Sequence, residues 1–187
     1  GVIKGKLILN SVKEFIPLEA DQQLSGTIVA DIALKGKMSS IEKEQYQDFK
    51  ATGQLIVLDM NYKSKDVPNG VLIEKAYLNF SPQMAELTQF DARMGKSDIS
   101  AKGKMENFLA YALKDELLKG EFSFNSNFID LNELMGSDEA TSAADTASSE
   151  MVAVPTNLDF ILLATIGKLN YSNMVMNNIS GSVRIKD

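Results

Sequence analysis

Apolar residues recur at every second position over most of this chain. That period places them on one face of a series of β-strands, with polar residues on the other. Ile3, Leu7 and Leu9 alternate with Lys4 and Lys6. From Ser25-Gly26 onward, Ile28, Ala30, Ile32 and Leu34 fall on one face and Thr27 and Asp31 on the other, until Gly36 ends the run. Residues 54–63 put Ile56, Leu58, Met60 and Tyr62 on one face, with Leu55 and Val57 apolar on the opposite one, which predicts a strand covered on both sides. Pro68-Asn69-Gly70 predicts a turn before a strand over Val71–Phe80. Phe90, Ala92 and Met94 lead into Gly95-Lys96-Ser97-Asp98, and Ile99 and Ala101 lead out, which is a hairpin pattern. Phe122, Phe124 and Phe128 then alternate with Ser123, Asn125 and Asn127. Leu158, Phe160, Leu162, Ala164 and Ile166 share a face, residues 167–171 predict a turn, and Ile179, Val183 and Ile185 alternate in the last strand.

Helices are few and short by the same reading. Ser39 with Glu42 fits a capping box opening a helix to about Tyr46 or Phe49. Ser81-Pro82 fits an N-cap and first-turn pair for one helical turn up to Leu87. Met105, Phe108, Leu109, Ala112 and Leu113 fall at helical spacing, and a closing turn of helix follows at Leu131–Leu134. A glycine before an alternating run recurs at irregular spacing (SGTIVADIAL, TGQLIVLDMNY, KGEFSFNSNFIDL, SGSVRIKD), so one strand device is reused without a solenoid period. The expected fold class is mainly β: about ten mostly antiparallel strands with two or three short helices. Residues 1–136 form the β-rich body, and residues 137–153 a flexible acidic Ser/Ala-rich linker with too little apolar surface to order itself. Residues 154–187 supply further strands of the same sheet.

The 187 residues suffice for one sizeable core, and 44% apolar with 24% charged residues is ordinary for a globular chain. A net charge of -6 argues against general nucleic-acid binding. With neither cysteine nor histidine, there is no thiol chemistry, and the commonest general base and metal ligand are missing. No cofactor or metal site is expected. Among the carboxylates, Asp59, Asp91 and Asp98 lie on or beside strands and Asp130 and Glu133 near a helical turn. Two converging acids are what a glycoside hydrolase needs, but no spacing here selects a pair. Gly95-Lys96-Ser97 has the ending of a phosphate loop without its upstream glycine, since position 90 is Phe, so it reads as a hairpin turn. Phe122, Phe124 and Phe128 with Leu158, Phe160 and Leu162 are candidates to line a lipid groove; a plain sheet core is the ordinary alternative, and the other face is open to the same role.

Three runs carry a resemblance: GKSDISAKGKMENFLAYAL, LKGEFSFNSNFIDLNELM and the stretch from Val154-Pro155 to the end. Within them stand the G-x-S-D turn at Gly95–Asp98, the N-F-L-x-Y segment ending at Tyr111, and the strand with Ser126, Asp130, Leu131 and Asn132. Lys168-Leu169-Asn170-Tyr171 and Ile179-Ser180-Gly181 complete the pattern. In these, residues 87–187 resemble the C-terminal region of AsmA-like bacterial cell-envelope proteins of Bacteroides type. The resemblance implies a curved, groove- or half-barrel-like sheet, a periplasmic location, and a longer parent protein held in the inner membrane by an anchor that this segment lacks. It also implies a phospholipid or other acyl-chain ligand carried along an apolar groove for outer-membrane biogenesis, without catalysis. The alternative is a scaffold that assists outer-membrane protein assembly by sheet-edge pairing with an envelope partner.

Overall fold

The computed structural model describes residues 1–12, 22–37, 39, 50–65, 67–81, 84–108, 110–111, 115–135 and 157–186. The alternating runs become β1 (Val2–Ile8), β2 (Gln23–Lys35), β3 (Lys50–Lys63), β4 (Val71–Phe80), β5 (Met84–Met94), β6 (Ser97–Glu106), β7 (Leu118–Asp130), β8 (Leu158–Tyr171) and β9 (Met174–Lys186). They form one nine-stranded sheet in sequence order, with β1 and β9 as its two edges, so the sheet does not close into a barrel. Every neighbouring pair is antiparallel except β7 and β8, which run parallel. A 3-10 turn (Leu9–Val12) packs against β2, and a short helix, α1 (Leu131–Met135), packs against β8.

The register carries the two faces across the whole sheet, because directly opposed residues share a face. One row runs Ile3, Ile32, Gly53, Phe80, Ala85, Met105, Gly120, Phe160, Ile185 from β1 to β9. The next runs Gly5, Ala30, Leu55, Leu78, Leu87, Gly103, Phe122, Leu162, Val183. The third runs Leu7, Ile28, Val57, Ala76, Phe90, Ala101, Phe124, Ala164, Gly181. No polar side chain interrupts these three rows. The reverse face reads Lys4, Asp31, Gln54, Asn79, Glu86, Lys104, Glu121, Ile161, Arg184 along one line, a pattern for contact with water.

Several expectations are corrected. On β3 the extra residue at Asp59 (φ 49°), opposite Gly26, breaks the alternation. Leu55 and Val57 therefore share a face with Met60 and Tyr62, and Ile56 and Leu58 go to the other. The helical turn expected after Ser81 is strand from Met84 on: β5 starts there, and Ser81 exchanges backbone hydrogen bonds with Met84, while Pro82 and Gln83 lie outside the described residues. Met105 belongs to β6, because it continues the alternation of Ala101 and Gly103. Past it, Phe108, Ala110 and Tyr111 are helical, with the Tyr111 N–H donating to Asn107 O (3.0 Å), while Leu109, Ala112 and Leu113 lie outside the described residues. Among the described residues the complete helical elements are thus one 3-10 turn and one short α-helix, not two or three helices. Leu9 leaves the strand for the 3-10 turn and is buried there. The turn expected at 167–171 is displaced to Ser172-Asn173, and β8 runs straight through the earlier position. The capping-box helix after Ser39 and the acidic linker lie outside the described residues.

Candidate functional site

Among the described residues, what packs beside the sheet is the 3-10 turn on β2, α1 on β8 and the helical Phe108, whose ring lies 5.6 Å from that of Phe80 at one end of the apolar face; no described element covers the rest of that face. Among the described residues the largest side chain that is fully buried is Ser97. A sandwich core would bury Phe and Leu completely; here Phe122, Phe124, Phe160 and Leu162 stay half-buried. Leu158 and its register partner Leu118 are buried at the end of the strands.

Two glycines shape the floor between β6 and β8. Gly103 lies opposite Phe122, and Gly120 lies opposite both Met105 and Phe160. A Cβ on Gly120 would come within 2.8 Å of the Phe122 ring and 2.9 Å of the Phe160 ring; at Gly103 the obstacle is again Phe122. The rings therefore lie over bare backbone, in contact with each other at 5.4 Å between centroids and 57° between planes. Leu162 sits beside Phe122, and Phe124 lies between Ala101 and Ala164. Small residues alternate with large ones across the sheet, so the surface here is apolar, broad and low.

Phe128 falls out of this group. Pairing skips Asn127, Gly167 and Asn178 in three adjacent strands, and Asn178 has φ 54°. Beyond the skip the buried aliphatics are the odd-numbered Ile129 and Leu169, while the Lys168 ammonium stands 5.7 Å over the Phe128 ring. Of the six candidates, five therefore share the apolar face. The two glycines, which no pattern within a single strand singles out, become visible only once Phe122 and Phe160 are placed opposite them.

The carboxylates named from the sequence build the end of the sheet. β6 stops pairing with β7 at Ser100–Asn125, and the Asp98 carboxylate takes over as acceptor. It accepts the Phe128 N–H (2.8 Å), the Asn127 N–H (3.1 Å) and the Asn127 side-chain amide (2.8 Å). Burial pushes the Asp98 carboxyl up, but those N–H donors outweigh it and hold it below its ordinary value. The Asp130 N–H donates to the buried Ser97 hydroxyl (3.0 Å), and the Asp130 carboxylate accepts the Asn132 N–H (3.1 Å). Glu133 accepts the Lys96 N–H (2.9 Å) and pairs with its ammonium (3.0 Å), both of which lower its carboxyl pKa. Asn132 reaches the β8–β9 turn, where the Ser172 N–H donates to its Oδ1 (2.7 Å). Asp91 is held low by the Gln89 amide first and the Ser100 hydroxyl next. Asp59 forms the bulge in β3. Each of these acids is thus placed in strand or turn architecture.

On the polar face, a shallow depression of about 220 Å³ is lined by Lys104, Glu106, Lys119, Glu121, Asp159 and Arg184. Its charges alternate across the strands, with Lys104 opposite Glu121 and Glu106 opposite Lys119, and Arg184 forks onto Asp159 at 2.8 and 2.9 Å. Among the described residues no group of three or more acids could hold a metal ion. None of their helices is long and apolar enough to cross a membrane. Compared with protein-family models, curated proteins and solved structures, the chain matches none.

Proposed function

We propose that this chain is a non-enzymatic, periplasmic segment of an AsmA-like envelope protein. In this reading it binds or conveys phospholipid along its apolar face for outer-membrane biogenesis, and its parent is anchored in the inner membrane. The observation that carries this reading is the set of three uninterrupted apolar rows across nine strands, on which, among the described residues, only Phe108 packs, at Phe80. A half-buried apolar surface of that extent has room for an apolar occupant. An acyl chain suits it: unbranched, indifferent to hydrogen bonding, and stabilised by about 25 cal/mol per Å² of apolar surface removed from water. The bulge at Asp59 and the shared skip at Asn127, Gly167 and Asn178 raise local twist, which favours a trough over a flat plate.

A second reading rests on a different observation. Among the described residues nothing pairs with either edge, β1 or β9, and both carry exposed side chains: Val2, Ile3, Met174, Val175 and Val183. A scaffold that joins an envelope protein by strand addition uses such edges and needs no lipid.

Native mass spectrometry of the purified chain, with organic extraction and lipid analysis, separates the two. Co-purified phospholipid is expected, and it is lost in Phe160→Asp and Leu162→Asp but kept in Ser123→Asp on the polar face, all three retaining the strand circular dichroism of the parent. A clean apo mass with no uptake from phospholipid vesicles overturns the lipid reading.

A further inference from the structure

The two outer edges of the sheet, with which no described residue pairs, are complementary to each other, and the register says which atoms would meet. Gly1 and Leu34 exchange both backbone hydrogen bonds (2.6 and 2.7 Å), so every second residue of β1 from there on turns its N–H and C=O toward β2. The groups that point outward belong to Val2, Lys4, Lys6 and Ile8. At the other edge, the Leu118 N–H donates to Asn157 O (2.9 Å), which directs the backbone of Leu118, Gly120 and Phe122 toward β8. In β8 the residues that turn toward β9 are then Phe160, Leu162, Ala164 and Ile166, bonded to Ile185, Val183, Gly181 and Ile179. The outward groups of β9 belong to Ser180, Ser182 and Arg184. Both outward sets carry their side chains on the polar face, so pairing them continues polar face with polar face and apolar with apolar.

The strand directions also agree. Because β7 and β8 are parallel and all other neighbours antiparallel, β9 runs opposite to β1. A copy added to the β9 edge in the same orientation therefore presents its β1 antiparallel to β9, the more stable ladder. One register stands out. It places Lys4 opposite Ser182, Lys6 opposite Ser180 and Val2 opposite Arg184 on the polar side. On the apolar side it places Ile3 opposite Val183, Leu7 opposite Ile179 and Gly5 opposite Gly181. Shifting by two residues one way brings Lys4, paired with Asp31 (2.8 Å), against Arg184, paired with Asp159 (2.8 Å), and sets Gly5 against Val183 and Leu7 against Gly181, losing the Leu7–Ile179 pair. Shifting the other way sets Ile3 against Gly181 and Leu7 against Asn177, losing both aliphatic pairs. Ile3, Leu7 and Val183 are exposed, and at Gly5 and Gly181 an added Cβ would meet nothing within 4 Å. Residues 2–8 and 174–186 hold neither proline nor an acidic residue.

We infer that this chain self-associates head to tail, the β9 edge of one copy pairing with β1 of the next, so that the apolar face runs on through the assembly. The contact is heterologous, each copy offering a different edge at either side, so it yields oligomers that grow with concentration. It is independent of what the apolar face holds.

Sedimentation velocity on the whole chain, from micromolar to near-millimolar concentration, tests it. The parent chain is expected to form a ladder of species that grows with concentration. Ser182→Pro and Lys4→Pro each remove an outward N–H without touching an internal ladder bond, and are expected to stop growth with the circular dichroism unchanged. Ser182→Lys is expected to weaken association and Ser182→Glu, facing Lys4, to tighten it by about 2- to 5-fold. A parent chain that stays monomeric throughout overturns the inference. So does association that persists unchanged in both proline variants and in Ser182→Lys, which would locate the contact on the apolar face. Phe160→Asp and Leu162→Asp leave edge pairing intact, so loss of lipid and loss of assembly are separately read.

Discussion

Replacing Asp98 removes the acceptor that holds β7 to β6 after their ladder ends. In the parent its carboxylate takes the Phe128 N–H at 2.8 Å, the Asn127 N–H at 3.1 Å and the Asn127 amide at 2.8 Å, with the Ser126 hydroxyl at 3.4 Å. A hydrogen bond to a charged group contributes about 1.5–3 kcal/mol net, and the loss is greatest where a main-chain N–H is left without a partner. Phe128 is half-buried and Asn127 exposed, so water replaces the acceptor at Asn127 more readily than at Phe128. Asp98→Ala should therefore cost about 2–3 kcal/mol, and Asp98→Asn, which keeps one carbonyl acceptor without the charge, about 1–2 kcal/mol. With an m-value of about 2 kcal/mol/M, urea unfolding of Asp98→Ala moves its midpoint down by about 1–1.5 M at constant m. The pH dependence has a definite sign. The folded carboxyl lies below its ordinary value of 3.8, so its contribution is complete above that value and is lost as pH falls through the lower, folded one. The gap between the parent and Asp98→Asn should thus be full at neutral pH and shrink in acid. A midpoint for Asp98→Ala within about 0.25 M of the parent, or a gap that widens in acid, refutes the role given to this carboxylate.

Gly120→Val drives a branched side chain into the Phe122 and Phe160 rings, and should cost about 1–3 kcal/mol in urea unfolding, with Ser123→Val on the polar face as the near-neutral control. Gly53→Ala puts a Cβ within 2.9 Å of the β2 backbone at a φ of 128°, and should cost more than about 1 kcal/mol by the same measurement. Asn132→Ala cuts the bond from the Ser172 N–H and should speed amide exchange at the β8–β9 turn while leaving the β4–β5 amides unchanged. Asp91, Glu133 and Asp159 are all held low by their partners, so thermal stability should fall as pH drops below the ordinary carboxylate range, and a melting temperature that rises in acid would contradict this.

What the sequence discloses of this fold follows the reach of local pattern. Alternation is a property of one strand, so β4 over Val71–Phe80 and the hairpin around Gly95-Lys96 are legible from it. Breaks in alternation are not. Asp59 looks like an ordinary outward acid between Leu58 and Met60, yet its positive φ reverses the faces on either side of it. Gly167 reads as a stop, but it is interior to β8, where its Cβ would come within 2.8 Å of Asn127 O. The same skip removes Phe128 from the row of Phe122 and Phe124. The relations that make the face continuous lie between strands, and no local signal pairs β8 in parallel with β7. Gly103 and Gly120 become part of the floor only through that pairing. The end network was visible as motif residues, Ser97, Asp98, Asp130, Asn132 and Glu133, without the physical reason for them, which is that each satisfies a backbone N–H or fixes an acceptor where the ladder runs out.

The division of labour between the ladder and the apolar face bears on function. A sheet that sits against a second layer uses its apolar side chains as core, and they are then unavailable for anything else. Here the ladder, the glycine-recessed rings and the polar network at the β5–β6 and β8–β9 turns order the strands, while the apolar rows remain half-buried. Covering them further releases free energy that folding has left unused, at about 0.8 kcal/mol for each methylene fully buried. About eight methylenes so buried would give roughly 6 kcal/mol before the cost of ordering the chain, the scale of binding between millimolar and micromolar. Because no polar side chain interrupts the three rows, that energy varies little with position along them. A ligand held in this way is retained by area and released by no particular contact, so it can shift from strand to strand with small barriers. On the lipid reading proposed above, binding of that kind would favour conveyance over storage, and the same rows would extend it across any strand added at either edge.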